Sequence, residues 1–358
     1  MTGDKALGHL RPRPGSQEAP RRSSQPARHT VTLVPGDGIG EELAEIAVGV
    51  VEASGASIAW ERRDAGHKAM ARHGTPLPQP LIDSLRATRT GLLGRLAAPA
   101  GGGPPPNVAL RKRIGLFASV RPARSVPGLP TRYPGLDLVI VRENTEDIYA
   151  GIEHEVVPGV IESLRVITAA ASSRIARFAF DLAARQGRRS VAAVHKANIM
   201  KRSDGLFLEC CRAAAAESPS IAYREVIADN AVLQLVRDPG QFDVLLAGNM
   251  FGDILADLCA GLAGGPGTVP AIHHGEGMVV VEAVHGNAPH LEGQDRANPL
   301  TMLLPAAALL DHLGEREAAG RIAAGIAAAF AAGAVTPDLG GSARTSEMAR
   351  AIMDGMPG

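Results

Sequence analysis

The sequence predicts an α/β protein of two domains, in which parallel strands alternate with helices. From Val31 onward, short runs rich in β-branched residues alternate with longer helical patterns, an order typical of parallel sheets covered by helices. The length of 358 residues is enough for about two domains, at roughly 100 to 200 residues each. Aromatic residues make up only 3% of the chain, so aliphatic side chains must build the core.

The elements follow in order along the chain. Short apolar runs bounded by turn residues predict strands at 31–34, 136–141, 190–195, 221–227, 242–247 and 278–284. Apolar side chains that recur with helical spacing predict helices at 39–54, 172–186, 203–216, 251–263, 300–313 and 315–332.

Charge and cysteine content exclude several functions. Lys plus Arg and Asp plus Glu both number 37, so the whole chain offers no attraction to nucleic acid or to an anionic membrane. The 3 cysteines form neither a zinc pair nor a disulfide framework, and the apolar stretches are too short to span a membrane. We expect a soluble, cytoplasmic protein without nucleic-acid or membrane partners.

Residues 1–28 differ from the rest of the chain. They contain four prolines, six basic and two acidic residues without apolar periodicity, which predicts a disordered tail. Asp4, Glu18 and the prolines disfavour the amphipathic helix of a transit peptide, so we interpret the tail as an inert extension. The remaining chain has 31 basic and 35 acidic side chains.

A glycine-rich turn at 35–40, Pro-Gly-Asp-Gly-Ile-Gly, follows the first predicted strand. Such a turn lets backbone N–H groups approach a phosphate at a helix N-terminus. A turn between strand and helix also needs glycine for positive φ, and no acidic ribose partner is clearly placed about 20 residues further on. From these residues alone, a structural turn is favoured over a dinucleotide site.

Three arginines lie in short segments that end predicted strands or loops. Arg111 lies in NVALRKR, Arg121 in VRP and Arg142 in VREN. Such a cluster suits bidentate capture of several carboxylates. The alternative is solvated surface side chains, which we prefer for Lys112 and Arg113.

Two further segments place polar side chains after apolar strands. Lys196 follows the strand at 190–195, where partial desolvation suits proton transfer, although strand-end lysines usually only extend to solvent. Asp253 and Asp257 stand four residues apart on one helix face, so their oxygens can share a divalent cation. The alternative for this pair is two solvated acids.

Taken in order, the segments resemble the β-decarboxylating dehydrogenases that act on isocitrate, isopropylmalate and related 2-hydroxy acids. The likeness runs from about Thr30 to residues 336–341 and rests on PGDGIG, NVALRK, FASVRP, VRENTEDIYAGIEH, VHKANIMK, GDILADL and EAVHGNAP followed by ANP. The stretch 143–151 resembles the isocitrate branch. The resemblance implies a two-domain isocitrate/isopropylmalate dehydrogenase-like fold, with mixed sheets flanked by helices and distinct from a Rossmann fold.

The resemblance also implies metal-dependent oxidative decarboxylation of a 2-hydroxy-3-carboxy acid with reduction of NAD. Tyr149 would protonate the enol after CO₂ leaves, and Lys196 of the neighbouring subunit would relay the hydroxyl proton. The smallest active unit would therefore be a homodimer with shared sites.

Family positions map onto three groups of residues. Substrate carboxylates would bind Arg111, Arg121, Arg142 and Asn107. Mg²⁺ or Mn²⁺ would bind Asp253, Asp257 and, from the second subunit, Asp229. The cofactor would contact Ile39, Asn198, Glu282, His285, Gly286, Ala288, His290, Asn298 and Asp338.

Two departures from the family leave the cofactor and the substrate open. His290 stands where NAD members carry Asp and some NADP members carry Lys, so we expect NAD while NADP stays open. The loop 97–106 lacks the hydroxyls that would bind the γ-carboxylate of isocitrate, and such a bond is worth roughly 1.5 to 3 kcal/mol. We expect weaker isocitrate binding or another γ-substituent, as in isopropylmalate, homoisocitrate or tartrate.

The resemblance also implies a domain arrangement. Residues 29–117 and 265–358 would form a large cofactor-binding domain, and residues 118–264 a small domain with the dimer interface and the metal and substrate residues. A non-catalytic regulatory subunit and a plain tricarboxylate-binding protein are alternatives, but the complete motif set favours an enzyme. His273 and His274 form no ligand spacing, and we expect them in a loop.

Overall fold

The structure, a computed structural model, describes residues 28–97 and 105–358. Residues 1–27 of the predicted tail and residues 98–104 of the hydroxyl-free loop lie outside the described residues. The strands are β1 (His29–Val34), β2 (Ile58–Arg62), β3 (Thr90–Leu93), β4 (Ala118–Arg124), β5 (Asp137–Glu143), β6 (Asp147–Val157), β7 (Val160–Val166), β8 (Ser190–His195), β9 (Ala222–Ile227), β10 (Val244–Ala247), β11 (Ala271–Gly275) and β12 (Met278–Glu282). The helices are α1 (Gly40–Ala53), α2 (Gly66–His73), α3 (Gln79–Thr88), α4 (Pro106–Arg113), α5 (Ala169–Arg185), α6 (Ser203–Ala216), α7 (Ala228–Arg237), α8 (Asn249–Ala263), α9 (Leu300–His312), α10 (Arg316–Ala331) and α11 (Thr345–Asp354).

Ten strands form one sheet in the order β2-β1-β3-β12-β11-β4-β5-β10-β8-β9. The first four are parallel to one another, and so are the last four. Between them, β11 and β4 make antiparallel pairs on both sides. The sheet is therefore mixed, as predicted, and differs in this respect from the all-parallel sheet of a Rossmann fold.

Helices cover both faces of the sheet, because successive side chains of a strand point to opposite faces. On β5, Val139 and Val141 join a core with α5 and α6, whereas Leu138 and Ile140 join a core with α7 and α8. At the other end of the sheet, α1 and α9 cover one face while α3 and α4 cover the other. Burial on both faces explains why the strands are nearly continuous apolar runs.

Several predicted elements coincide with the structure. The strand predicted at 190–195 and the helix predicted at 203–216 match β8 and α6 to the residue. The loop predicted for His273 and His274 is wrong, because both residues lie in β11. This strand is held between β12 and β4 at the centre of the sheet, where His273 is only 1% exposed.

A two-stranded arm, β6 with β7, stands apart from the main sheet. It exposes apolar side chains that have no core to enter: Ile152, Val156, Val157, Val160, Ile161 and Leu164. Ion pairs fix its base, where buried Asp147 accepts from Arg165 at 2.6 Å and Arg165 also pairs with Asp204.

None of the helices in the described ranges has the length and apolar content of a membrane span.

Candidate active site

The centre of the candidate site is one face of four neighbouring strands. His273 of β11 is paired with Val280 of β12 and with Ser119 of β4. Ser119 is in turn paired with Arg142 of β5. Directly paired residues of antiparallel strands lie on the same face of a sheet, and so do residues two positions along each strand. This polar face therefore carries Glu282, His273, Arg121 and Arg142.

Glu282 is the hub of the polar face. Its buried carboxylate accepts hydrogen bonds from Arg111 at 2.7 Å, from His273 at 3.1 Å and from the amide of Asn107. Burial alone would raise the pKa of Glu282, but the charge of Arg111 and the hydrogen bond from His273 outweigh it and hold the pKa well below its usual range. Burial lowers the pKa of His273 to about 4, so His273 is neutral at pH 7.

Two side chains of α8 hold the guanidinium of Arg142. Its Nε and Nη2 donate to Oδ1 of Asn249, at 2.8 and 2.6 Å, and its Nη1 pairs with Asp253. Gly252 of the same helix packs against it, because a Cβ at that position would lie 2.7 Å from the Arg142 Cβ. The hydroxyl of Tyr149 donates to the other oxygen of Asp253, and burial together with this bond raises the pKa of Tyr149 to about 12.

Arg121 and Arg111 keep unused donors. Nη2 of Arg121 lies 3.9 Å from Oδ1 of Asp257, which is too long for a hydrogen bond. Among the described residues, Nε and Nη2 of Arg121 and Nε of Arg111 are buried without a partner. Buried donors without partners are costly, so this part of the site suits an anionic ligand that would satisfy them.

Lys196 and Asp229 form a separate pair. Lys196 directly follows β8 and pairs with Asp229 in the first turn of α7, while its backbone N–H donates to Asp204 at 2.6 Å. Neither residue contacts Asp253 or Asp257 in the hydrogen bonds and ion pairs of the described residues. Within those residues, no group of three or more His, Cys, Asp or Glu side chains forms a metal site in one chain.

The predicted cofactor residues are spread over several segments, and hydrogen bonds join some of these segments. The glycine turn touches the segment after β12, since the N–H of Ile39 donates to the carbonyl of Asn287 at 3.2 Å. Asn298 donates to Asp338 at 2.9 Å. The ring of His285 contacts the carbonyl of Gly286 at 2.7 Å, while Asn198, Ala288 and His290 lie at exposed or half-buried positions. Glu282 differs from them, because it is buried and accepts a hydrogen bond from Arg111.

Three residues of this site were not predicted from the sequence. Asn249 and His273 hold Arg142 and Glu282, but their partners are distant in sequence and no local pattern reveals such contacts. Arg95, just after β3, places its guanidinium 3.7 Å from Glu282. Its position at the end of an apolar strand, the signal used for Lys196, was the only available indication.

Cationic donors, carboxylate oxygens and a protonated tyrosine thus lie together near a glycine turn, a combination typical of an enzyme for carboxylate substrates. The chain matches the isocitrate/isopropylmalate dehydrogenase family over residues 30–352 and belongs to it. The mitochondrial isocitrate dehydrogenase (NAD) catalytic subunit 5 of Arabidopsis thaliana is 47% identical, covering 91% of this chain and 88% of that protein. The chloroplastic 3-isopropylmalate dehydrogenase of Solanum tuberosum is 46% identical, covering 85% and 86%. Isocitrate dehydrogenase from Methylococcus capsulatus superposes with a TM-score of 0.86 at 45% identity, covering 91% of this chain and 98% of that one.

Proposed function

We propose that the protein oxidises and decarboxylates a 2-hydroxy-3-carboxy acid of the isocitrate type, with NAD as the oxidant and a divalent cation. The observation that carries this proposal is the convergence of charged and phenolic side chains on the polar face and the adjoining α8. They are Arg111, Arg121, Arg142, Tyr149, Asp253 and Asp257. Fixed guanidinium groups suit a substrate with several carboxylates, and relatives named as NAD isocitrate dehydrogenases support the same reaction.

Asp253 and Asp257 fit a hard cation such as Mg²⁺ or Mn²⁺. Their donors are carboxylate oxygens, which these cations prefer, and their side chains are 37% and 72% exposed, so a cation can reach them. Asp229 of a neighbouring subunit would complete the set. When bound, the cation would polarise the C2 oxygen of the substrate and stabilise the charge that develops as CO₂ leaves.

Arg121 and Arg142 would orient the substrate carboxylates. Burial lowers the pKa of both guanidinium groups, but an arginine stays charged at physiological pH. Their charges lie in a poorly solvated site, where attraction for a carboxylate is stronger than in water. Because α8 holds Arg142 and burial confines Arg121, whose side chain is 7% exposed, little ordering is left for the bound state.

Tyr149 is suited to deliver a proton. With a pKa of about 12, its hydroxyl remains protonated at neutral pH and can donate to C3 of the substrate once CO₂ has left. Lys196 would accept the proton of the 2-hydroxyl in the site of the neighbouring subunit. Each proton transfer thus has one side chain assigned to it.

The glycine turn and the segment 285–290 would hold the cofactor. The close approach of Gly38 to Asn287 brings the two segments together, and exposed His290 presents no negative charge that would repel a 2′-phosphate. We propose NAD on the strength of the NAD-dependent relatives. A comparison of kcat/KM for NAD and NADP tests this choice, and a higher value for NADP contradicts it.

The separate location of Lys196 and Asp229 supports a homodimer with shared sites. Subunit mixing tests it, because a dimer of Lys196→Ala and Asp253→Asn chains would contain one intact site if Lys196 acts in trans. Random pairing of the two inactive variants is then expected to restore about one quarter of wild-type activity. A mixture as inactive as its components contradicts sharing.

Absorbance of reduced nicotinamide, with Mg²⁺ present, tests the activity itself. The substrates are isocitrate, 3-isopropylmalate, homoisocitrate and tartrate. We expect Mg²⁺-dependent oxidation of at least one of them, and a loss of about 10²- to 10⁴-fold in kcat for Lys196→Ala. Exposed Lys201 provides the control, since Lys201→Ala should keep full activity. A wild type inert with every substrate and both cofactors rules out the proposal.

A further inference from the structure

The backbone around Arg95 is fixed close to the polar face. Gly94, which precedes it, donates to the carbonyl of Val34 at 2.7 Å, and the carbonyl of Arg95 accepts from Asp37 at 2.8 Å. The carboxylate of Asp37 in turn accepts from Ala97 at 2.7 Å. Residues 94–97 are therefore held against the glycine turn, so Arg95 has a defined place at the end of β3.

The guanidinium of Arg95 lies near Glu282, the carboxylate that Arg111 also binds. Its Nη1 lies 3.7 Å from Oε1 of Glu282, beyond hydrogen-bond distance, and the side chain is 43% exposed. Among the described residues, its guanidinium donates no hydrogen bond. Glu282 does not require it, because that carboxylate already accepts from Arg111, His273 and Asn107. Arg95 is therefore a charged group with unused donors beside the site.

The substrates of this family differ in the group at C3. Isocitrate carries a carboxymethyl group there, which supplies a third carboxylate, whereas 3-isopropylmalate carries an apolar isopropyl group. Under the proposed function, Arg111, Arg121 and Arg142 bind the two carboxylates that both substrates share. The loop 97–106 has no hydroxyl to bind a third one, and a guanidinium is a stronger partner for a carboxylate than a hydroxyl.

We infer that Arg95 determines specificity by binding the third carboxylate of a tricarboxylate substrate. This inference rests on the proposed function and names its substrate class. The loop sequence alone predicts weaker binding of isocitrate or a different γ-substituent. The guanidinium of Arg95, at the end of β3, would reverse this expectation by replacing the missing hydroxyls. The substrate should then be isocitrate or its tricarboxylate homologue and not an alkylmalate.

The test compares kcat/KM for isocitrate and for 3-isopropylmalate in the wild type, Arg95→Met and Arg95→Lys. We expect the wild type to prefer isocitrate and Arg95→Met to lower the isocitrate to isopropylmalate ratio by about 10- to 100-fold. Arg95→Lys, which keeps the charge, should restore part of the ratio. Arg86, on the exposed side of α3, gives the control, because Arg86→Met removes the same charge outside the site.

Three results overturn the inference. They are a wild type that prefers 3-isopropylmalate, a ratio unchanged by Arg95→Met, and equal affinities of wild type and Arg95→Met for tricarballylate. An unchanged ratio together with a raised KM for NAD would assign Arg95 to the cofactor. Binding of tricarballylate, an unreactive tricarboxylate, is measured in parallel by calorimetry with Mg²⁺ present. If the wild type is inert with every hydroxy acid, the proposed function fails, and equal tricarballylate affinities of wild type and Arg95→Met then separately overturn the role of Arg95.

Discussion

The glycine turn and the polar face are neighbouring regions that are held in place in different ways. The glycine turn is defined by backbone contacts, as where Gly38, with φ of +59°, approaches the carbonyl of Asn287. The polar face is defined by charged side chains that hold one another, as Asn249 and Asp253 hold Arg142. A backbone contact cannot adapt to an added atom, whereas a side chain can move at the expense of its geometry.

Because of this difference, substitutions in the two regions should have different effects. Changes in the glycine turn should mainly lower the stability of the fold, because the closely packed backbone atoms cannot shift to accept an added side-chain atom. Changes on the polar face should act mainly on turnover, because catalytic geometry is lost before the fold is. Variants in each region test that division.

Tyr149→Phe should have the largest effect and confine it to turnover. It removes the hydroxyl assigned to protonation of C3, so we expect kcat to fall by about 10²- to 10⁴-fold with little change in the urea midpoint. Tyr133 offers a matched control, because its hydroxyl bonds to the carbonyl of Val236, away from the polar face. Equal losses of kcat in Tyr149→Phe and Tyr133→Phe would contradict the assignment.

Gly38→Ala should act on stability. The new Cβ would lie 1.9 Å from the Asn287 carbonyl oxygen, at a residue with positive φ, and strain and overpacking together should cost about 2 to 5 kcal/mol of unfolding free energy. Gly74 also has positive φ, at +69°, but has open space around it. Gly74→Ala should cost only about 1 to 2 kcal/mol in urea titrations, and similar losses for both variants would refute the packing argument.

Gly252→Ala should reduce turnover by displacing Arg142. The Cβ would meet the Arg142 side chain at 2.7 Å, and a shift of that group should lower kcat/KM by about 10- to 100-fold. Gly261, on the same helix, has nothing within 4 Å, so Gly261→Ala should keep activity and gain about 0.5 to 1 kcal/mol of stability. Full activity in Gly252→Ala would show that Arg142 tolerates displacement.

His274→Phe should have the smallest effect. His274 lies in β11, between the two parallel halves of the sheet, and the variant should change how the unfolding free energy depends on acid pH. Burial lowers the pKa of His274 to about 4, below the unfolded value of about 6.5, so the unfolded state binds more protons between these pH values. Stability is then fully present above pH ~6.5 and falls as pH drops towards 4. Without this group, the slope of unfolding free energy against pH should become shallower by at most about 1.4 kcal/mol per unit, and an unchanged slope would exclude the contribution.

The sequence predicted the parts of the fold whose signal is local. The run Ser190–His195 and the helix Ser203–Ala216 are set by apolar periodicity and match the structure. In contrast, β11 contains two histidines between a proline and a glycine, which is a loop pattern. It becomes a strand only because β12 and β4 pair with it and Glu282 accepts from His273.

The candidate site divides in the same way. Arg142 and Asp253 stood in motifs, and the structure brings them together. The place of Glu282 beneath the arginines and the direction of Arg95 depend on contacts between residues more than 170 positions apart. Such distances leave no trace in local pattern, so only the assembled sheet reveals them.

The ion pairs at the base of the arm also connect it to the backbone of two distant segments. Asp147 accepts from the backbone N–H of Met250 at the start of α8, and Asp204, bound to the same Arg165, accepts from the backbone N–H of Lys196. The base of the arm is therefore bonded both to α8, which carries Asp253, and to the segment that carries Lys196. In the dimer proposed above, any contact made by the arm would therefore reach both groups of catalytic candidates through the same ion pairs.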